Sequence, residues 1–168
     1  MMRIASPNLP LDSLLEDRGI AAESLHIYID KSDLTLQLIA DTILVKTYPI
    51  VLGGNPKDDK RMEGDQCTPE GIFQLRNLYP HKKWSKFLWV DYPTEYSWEK
   101  HKAAKAAGQI PADASIGGEI GIHGVPAGCD HWIDEVQHWT LGCISVKNAH
   151  IDEIYCAVHK GTRVIIEP

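Results

Sequence analysis

Two residues of this chain are of a type, and in a sequence context, that could support nucleophilic chemistry. Cys143 follows a hydroxyl residue and a glycine in Thr140-Leu141-Gly142-Cys143, and His123 lies upstream in the apolar, Gly-rich segment 121–124. A thiol attacks as its thiolate, so it needs an imidazole or another source of positive potential nearby. Gly142 would let backbone N–H groups approach a reacting carbonyl without an intervening Cβ. The pattern indicates a cysteine nucleophile with a histidine base, against the plainer interpretation that Cys143 is a small buried hydrophobe.

Composition narrows the class of protein and its partners. The 168 residues, 43% of them hydrophobic, fit one domain with a sizeable core. A net charge of −6 without a basic run argues against a nucleic-acid partner, and no apolar run is long enough to predict a membrane span. Residues 1–7 contain no apolar signal core. We therefore expect a periplasmic or cell-envelope location if a leader has been removed, and the cytoplasm if the chain is complete.

A zinc site is a second interpretation of the same region. No Cys-x2-Cys or His-x3-His spacing supports it, so we predict neither a metal nor another cofactor. A disulfide between Cys67 and Cys129 stays open, with free thiols favoured, and Cys156 is predicted to lie in the core. The potential zinc ligands are His123, Cys129, His131, His138 and Cys143.

Alternating apolar and polar residues predict a mainly β domain. The runs 25–29, 34–39 and 43–51 are separated by tight turns and predict an antiparallel meander. Residues 1–23 read as a polar lead-in with a short amphipathic turn, followed by one domain over 24–168, a sandwich or partly closed barrel. Further strands are predicted at 71–75, at 87–92, around His123 and at 162–166.

Two helices are predicted in addition to the strands. Ser97 is the expected N-cap of a surface helix over 98–107, and Asn148 that of a helix over 149–158. Residues 125–139 are predicted to form a loop. The apolar face of the second helix should pack on the core because its residues recur at i, i+3, i+4 and i+7; they are Ile151, Ile154, Tyr155 and Val158.

Several segments, met in order along the chain, together resemble one known family. It is the L,D-transpeptidase catalytic domain (YkuD-type), which remodels bacterial peptidoglycan, in the branch with a Thr-x-Gly-Cys nucleophile segment. The resemblance covers residues 24–167, and the order of the segments makes it more specific than any one motif. The segments are Lys31–Leu38, Tyr48–Gly53, Glu63–Gly71, Ile122–Gly124 and Thr140–Cys143, followed by Asn148 and the closing helix and strand.

The resemblance implies a fold and a set of catalytic roles. The fold would be a mainly β sandwich with two or three short helices. Cys143 would attack an acyl carbonyl to form a thioester, and His123 would act as general base. The backbone carbonyl of Gly124 would orient the imidazole, and the N–H groups of Gly142 and Cys143 would hold the oxyanion.

Two residues beside the nucleophile depart from the family pattern. Leu141 stands where the family usually has histidine, and Ser145 where it often has arginine. Together with Thr140, they are predicted to contact the substrate. The loss of these polar groups leaves the acceptor of the acyl group undetermined.

The expected function is cysteine-dependent acyl transfer on peptidoglycan stem peptides, in cell-wall remodelling and cell shape. Passage of the acyl group to an amine would make a cross-link or attach an anchored protein. Passage to water would make the chain an L,D-carboxypeptidase or amidase-type hydrolase. A non-catalytic module that binds the wall is the third alternative.

Overall fold

The computed structural model describes residues 9–168. In this part of the chain, short helices surround a set of strands. The helices are α1 (Leu11–Arg18), α2 (Glu95–Ala106), α3 (His131–Asp134) and α4 (Asn148–Ala157), with a 3-10 turn at Ala22–Ser24. The strands are β1 (Leu25–Asp30), β2 (Thr35–Ala40), β3 (Ile43–Pro49), β4 (Gly71–His81), β5 (Ser85–Val90), β6 (Gly121–His123), β7 (Ile144–Ser145) and β8 (Arg163–Glu167).

The strands form one curled sheet in the order β3-β2-β1-β8-β4-β5-β6-β7. The predicted meander is confirmed, because β2 pairs antiparallel with both β1 and β3. The long strand β4 joins the two parts of the sheet: residues 71–74 pair with β8, and most of the rest of the strand pairs with β5. The predicted mainly β fold with short helices is confirmed.

The core follows from the alternation seen in the sequence. Buried residues recur at every second position of β1, where Leu25, Ile27 and Ile29 point to one side of the sheet. Helix α4 packs on this core through Ile151 and Ile154, as predicted. Successive residues of a helix are about 100° apart, so these two side chains share one face.

Both predicted helix caps are wrong in detail. Thr94, not Ser97, is the N-cap of α2, and Ser97 forms the other half of a capping box with it. The N-cap of α4 is Lys147, while the Asn148 amide oxygen accepts a hydrogen bond from Val125 N–H at 3.0 Å. Asn148 therefore joins the helix to the histidine segment rather than capping the helix.

Other differences concern the cysteines and two segments. Cys156 is exposed rather than buried, because it lies on the face of α4 opposite to Ile151. All four cysteines lie in the described part of the chain and are free, and Cys67 is buried. The predicted loop over 125–139 contains the short helix α3, and the predicted lead-in contains helix α1. Residues 1–8 of that lead-in lie outside the described residues.

Over residues 9–168, no helix is both long enough and apolar enough to cross a membrane.

Candidate active site

The pairing of β6 with β7 places the predicted nucleophile beside the predicted base. These strands run parallel, with Ile122 opposite Ile144 and His123 opposite Ser145. Cys143 stands one residue before the first of these pairs, so it lies next to Gly121. Because side chains alternate along a strand, the Cys143 and His123 side chains point to the same face. Both line a single cavity of about 690 Å³.

The turn that carries the nucleophile is held by hydroxyl groups. The Thr140 hydroxyl donates to the Cys143 carbonyl oxygen at 2.7 Å and accepts the Gly142 N–H at 3.2 Å. The Thr68 hydroxyl donates to the Gly142 carbonyl oxygen at 2.8 Å. Gly142 has φ of 141°, and a Cβ there would lie 2.6 Å from the Cys67 carbonyl oxygen. Only glycine fits this position without a shift of the backbone.

The imidazole of His123 is fixed through its Nδ1 atom. Nδ1 lies 2.7 Å from the Gly124 carbonyl oxygen, which can only accept, so Nδ1 carries the proton and Nε2 keeps its lone pair. The Gly124 N–H donates to the Trp84 carbonyl oxygen at 2.9 Å. With the bond between Asn148 and Val125, the backbone after the histidine is held on both sides.

Aromatic rings enclose the His123 side chain, which is 1% exposed. Trp84 stacks on the imidazole with ring centroids 4.2 Å apart, and the Phe87 ring lies roughly parallel to it at 5.9 Å. Trp139 meets the imidazole edge-on at 5.5 Å. The other face of Trp84 is covered by His81 at 4.5 Å. The rings therefore restrict the plane of the imidazole, while Gly124 restricts its rotation.

Burial keeps both reactive groups neutral at pH 7. It lowers the pKa of His123 to about 4, although the Gly124 hydrogen bond acts in the opposite direction. Burial also raises the pKa of the Cys143 thiol to about 11, opposed by the Gly121 N–H and by Lys60. The thiol itself donates to the Glu119 carbonyl oxygen, with sulfur and oxygen 3.4 Å apart. The resting site therefore holds a neutral thiol and a neutral imidazole.

The predicted substrate-binding residues lie in different environments. Leu141 is 76% exposed and lines the cavity, so it is free to contact a substrate. Thr140 is almost fully buried, and its hydroxyl is engaged within the nucleophile turn. Ser145 has no exposed surface and does not line the cavity, so its predicted contact with a substrate stays a prediction. Its hydroxyl donates to the Gly124 carbonyl oxygen at 3.1 Å.

Sequence reasoning missed several residues that shape the site. Neither Thr68 nor Lys60 was assigned a role, although Thr68 binds the Gly142 carbonyl oxygen and Lys60 is buried and lines the cavity beside Asp65. Trp84 was not singled out either, and it stacks on His123. The segment Glu63–Gly71, part of the family resemblance, contains Thr68 and was the one signal that pointed to it.

The potential zinc ligands are not gathered into one site. Within residues 9–168, no group of three or more His, Cys, Asp or Glu side chains is arranged to hold a metal ion. His138 accepts the Leu52 N–H through Nδ1 at 3.0 Å, and burial lowers its pKa. His131 is exposed on α3. These two histidines have separate positions, so the structure gives the zinc hypothesis no support.

Fold and site together define a mainly β domain that presents a cysteine and a buried histidine to one cavity. The family model for the L,D-transpeptidase catalytic domain (YkuD) matches residues 24–166. The chain therefore belongs to the L,D-transpeptidase catalytic domain family. No curated protein matches the chain significantly in sequence.

Solved structures share the fold at low sequence identity. Bd1075 of Bdellovibrio bacteriovorus has a TM-score of 0.61 and 18% identity, over 86% of this chain and 48% of that one. The helical cell shape determining protein Pgp2 of Campylobacter jejuni has a TM-score of 0.60 and 22% identity, over 94% of this chain and 55% of that one. An L,D-transpeptidase of Xylanimonas cellulosilytica has a TM-score of 0.54 and 15% identity, over 95% of this chain and 70% of that one. The chain spans about half the length of the first two, and at these identities the likeness concerns the fold.

Proposed function

We propose that this protein carries out cysteine-dependent acyl transfer on peptidoglycan stem peptides. The observation that carries the proposal is the shared cavity of Cys143 and His123, with His123 Nδ1 bound to the Gly124 carbonyl oxygen. This arrangement leaves Nε2 as the only ring atom able to accept a proton. Membership of the L,D-transpeptidase family supplies the substrate class.

The first half-reaction starts from two neutral groups. As Cys143 Sγ attacks the acyl carbonyl, its proton passes to His123 Nε2, and the carbonyl oxygen becomes an oxyanion. The Gly142 N–H already donates to Thr140 Oγ1, so the Cys143 N–H is the first oxyanion donor and Gly142 joins it only after leaving Thr140. The C–N bond then breaks, His123 returns the proton to the leaving amine, and Cys143 holds the acyl group as a thioester.

The second half-reaction decides between transferase and hydrolase. An amine, of a second stem peptide or of an anchored protein, loses a proton to His123 as it attacks the thioester, giving an amide and the free thiol. Water in the same position gives a carboxylic acid instead. Leu141, exposed beside the nucleophile, is the proposed contact for the incoming substrate. The cellular site of action would be the periplasm or cell envelope, where peptidoglycan is found.

The first experiment measures acylation of the thiol by a carbapenem, followed by mass spectrometry of the intact protein. We expect one adduct on the wild type and none on Cys143→Ala, because the reagent opens on the activated sulfur. Cys156→Ala is the matched control, since it removes an exposed thiol on α4 and should keep the adduct. A folded wild type without an adduct, or an adduct that persists in Cys143→Ala, would contradict the proposal and favour a wall-binding module.

The acceptor is then identified from the products of a stem peptide. With wild-type protein and an added amine, release of the leaving amine together with a peptide heavier than the hydrolysed peptide by the mass of the added amine minus water indicates transfer. A trimmed peptide with a free carboxylate indicates hydrolysis. Absence of both products, with the carbapenem adduct present, would place the donor substrate outside the stem peptides tested and overturn the proposed substrate class.

A further inference from the structure

The hydroxyl of Ser145 lies at the centre of a buried chain of hydrogen bonds. It accepts the indole N–H of Trp139 at 3.2 Å and donates to the Gly124 carbonyl oxygen at 3.1 Å. The same carbonyl oxygen accepts His123 Nδ1–H at 2.7 Å. The two lone pairs of one carbonyl are thus shared by Ser145 and His123. The chain of contacts runs from Trp139 through Ser145 and Gly124 to the imidazole.

Both edges of β7 fix the point from which Ser145 acts. The Ser145 N–H and carbonyl oxygen exchange two hydrogen bonds with Val51, each 2.9 Å long. On the opposite edge, Ser145 stands in register with His123. A backbone held on both edges moves little, so its hydroxyl is offered to Gly124 from a rigid position.

Packing alone does not account for a serine at this position. Ser145 has no exposed surface and follows the apolar Ile144 in a short buried strand. A buried hydroxyl costs free energy unless it is hydrogen-bonded, and here both of its roles, donor and acceptor, are used. The group it serves is the one carbonyl that also orients the proposed base.

Trp139 connects to His123 by two routes. Its indole N–H fixes the Ser145 hydroxyl, which can then donate only to Gly124. Its ring also meets the imidazole edge-on, with centroids 5.5 Å apart. One side chain therefore restrains the imidazole both directly and through the carbonyl that binds Nδ1.

We infer that Ser145 and Trp139 are positioning residues that fix the Gly124 carbonyl and, through it, the orientation of the His123 imidazole. This rests on the proposed function, because it assigns the pair to the acyl-transfer step. Neither residue touches the reacting atoms through these hydrogen bonds. The role replaces the substrate contact that the sequence predicted for Ser145, and it predicts a loss of turnover without a loss of binding.

The test compares the acylation kinetics of Ser145→Ala with those of a matched variant. At saturating carbapenem, the acylation rate constant should fall about tenfold, the lower end of the loss seen when the hydrogen-bond partner of a metal-binding histidine is removed. The half-saturating concentration should change less than twofold. Thr162→Val also removes a buried hydroxyl, one that lies just before β8, accepts the His159 N–H at 3.0 Å and does not line the cavity. It should leave both constants unchanged.

Two further variants separate the hydrogen bond from the packing. Ser145→Thr keeps the hydroxyl and should recover part of the lost rate. Trp139→Phe keeps a ring beside His123 but removes the N–H, so it should slow acylation in the same direction. It also provides the test if Ser145→Ala fails to fold. The double variant should cost about as much as Ser145→Ala alone, because both changes act through one carbonyl.

A readout that does not depend on activity is the proton NMR signal of His123 Nδ1–H. In the wild type this buried, hydrogen-bonded proton should exchange slowly and resonate downfield. It should shift and broaden in Ser145→Ala and Trp139→Phe but not in Thr162→Val. If the wild type resists acylation while these NMR changes occur, the proposed function fails and the placement of the imidazole stands.

The outcomes that overturn the inference are equally specific. An unchanged acylation rate constant and an unchanged Nδ1–H signal in folded Ser145→Ala would show that the carbonyl needs no second partner. A higher half-saturating concentration with an unchanged rate constant would indicate that Ser145 contacts the substrate instead. Equal losses in Ser145→Ala and Thr162→Val would indicate a general effect of lower stability.

Discussion

At the scale of single residues, the proposed nucleophile is a weak acid and the proposed base is a weak base. The pKa of the Cys143 thiol is about 11 and that of His123 is about 4. A resting thiolate–imidazolium pair is therefore disfavoured, and in the proposed reaction the proton moves as the sulfur–carbon bond forms. This differs from cysteines whose thiolate is stabilised in advance by positive potential. The positions of His123 Nε2 and the substrate carbonyl then matter more than a preformed charge.

Because both groups are neutral over a wide pH range, the rate of acylation should depend little on pH. Below about pH 4, His123 is protonated and accepts no proton, and above about pH 11 the thiol ionises without the base. The acylation rate constant should therefore be constant from about pH 5 to about pH 10. Stopped-flow measurements with a carbapenem across this range provide the test, with Cys143→Ala as the control for breakdown of the reagent. An acid limb centred near 6.5, the ordinary histidine value, would contradict the burial argument.

At the scale of elements, the turn 140–143 depends on a loop that precedes β4. This loop, residues 57–70, is held against the sheet by hydrogen bonds of two buried lysines, one within the loop and one beside β1. Lys60 binds Asp65 at 2.8 Å, and Asp65 also accepts backbone N–H groups of the same loop. Lys31 Nζ reaches the loop from beside β1 and donates to Glu70 and to the Thr68 carbonyl oxygen. The loop thereby presents the Thr68 hydroxyl to Gly142.

Removal of the Thr68 hydroxyl should therefore affect both stability and activity. In Thr68→Val the Gly142 carbonyl oxygen loses its partner in a buried site, which should lower the free energy of unfolding by about 1–3 kcal/mol. The nucleophile turn would also shift, so acylation should slow about tenfold or more. Urea unfolding and adduct formation measure the two effects, and Thr162→Val should show only the first. A destabilised variant that is acylated at the wild-type rate would show that the Thr68 hydrogen bond does not position the turn for acylation.

At the scale of the whole molecule, a carboxylate on α4 joins elements that are distant in sequence. Glu153 accepts Leu11 N–H of α1 at 2.5 Å, Lys46 of β3 at 2.8 Å and the Tyr48 hydroxyl at 2.6 Å. Burial alone would raise the pKa of Glu153, but these donors hold it below its usual range. The helix that precedes the sheet is thus connected to the edge strand and to α4, away from the cavity.

Glu153→Gln should lower stability and leave the chemistry intact. Loss of charge-assisted hydrogen bonds should reduce the free energy of unfolding by about 2 kcal/mol at pH 7. Because the folded pKa is depressed, this contribution is present at neutral pH and is lost as the pH falls below the unfolded value. Asp152→Asn, an exposed neighbour paired with Lys86, is the control and should cost about 0.5 kcal/mol or less. Slower acylation by folded Glu153→Gln would show that the far side of the sheet acts on the site.

Local periodicity explains how much of the fold was predictable. The runs that became β1, β2 and β3 alternate with period two, and the apolar face of α4 recurs with period 3.6, so each could be recognised without its partners. The same rule places Cys156 opposite Ile151, on the exposed face of the helix. Its exposure was therefore predictable, and the assignment of Cys156 to the core was wrong. The caps depended on which hydroxyl or amide finds a free N–H group, and this is settled by neighbours such as Val125.

The sequence by itself determined that a cysteine after a glycine and a histidine in a Gly-rich strand belong to one family pattern, since residue types and their order carry that information. Only the tertiary structure decided which group the Ser145 hydroxyl binds. Two edges of β7 are paired, one with Val51 and one with β6, and this pairing turns the hydroxyl inward to Gly124. A short strand has no periodicity of its own, so the direction of its side chains is set by distant partners.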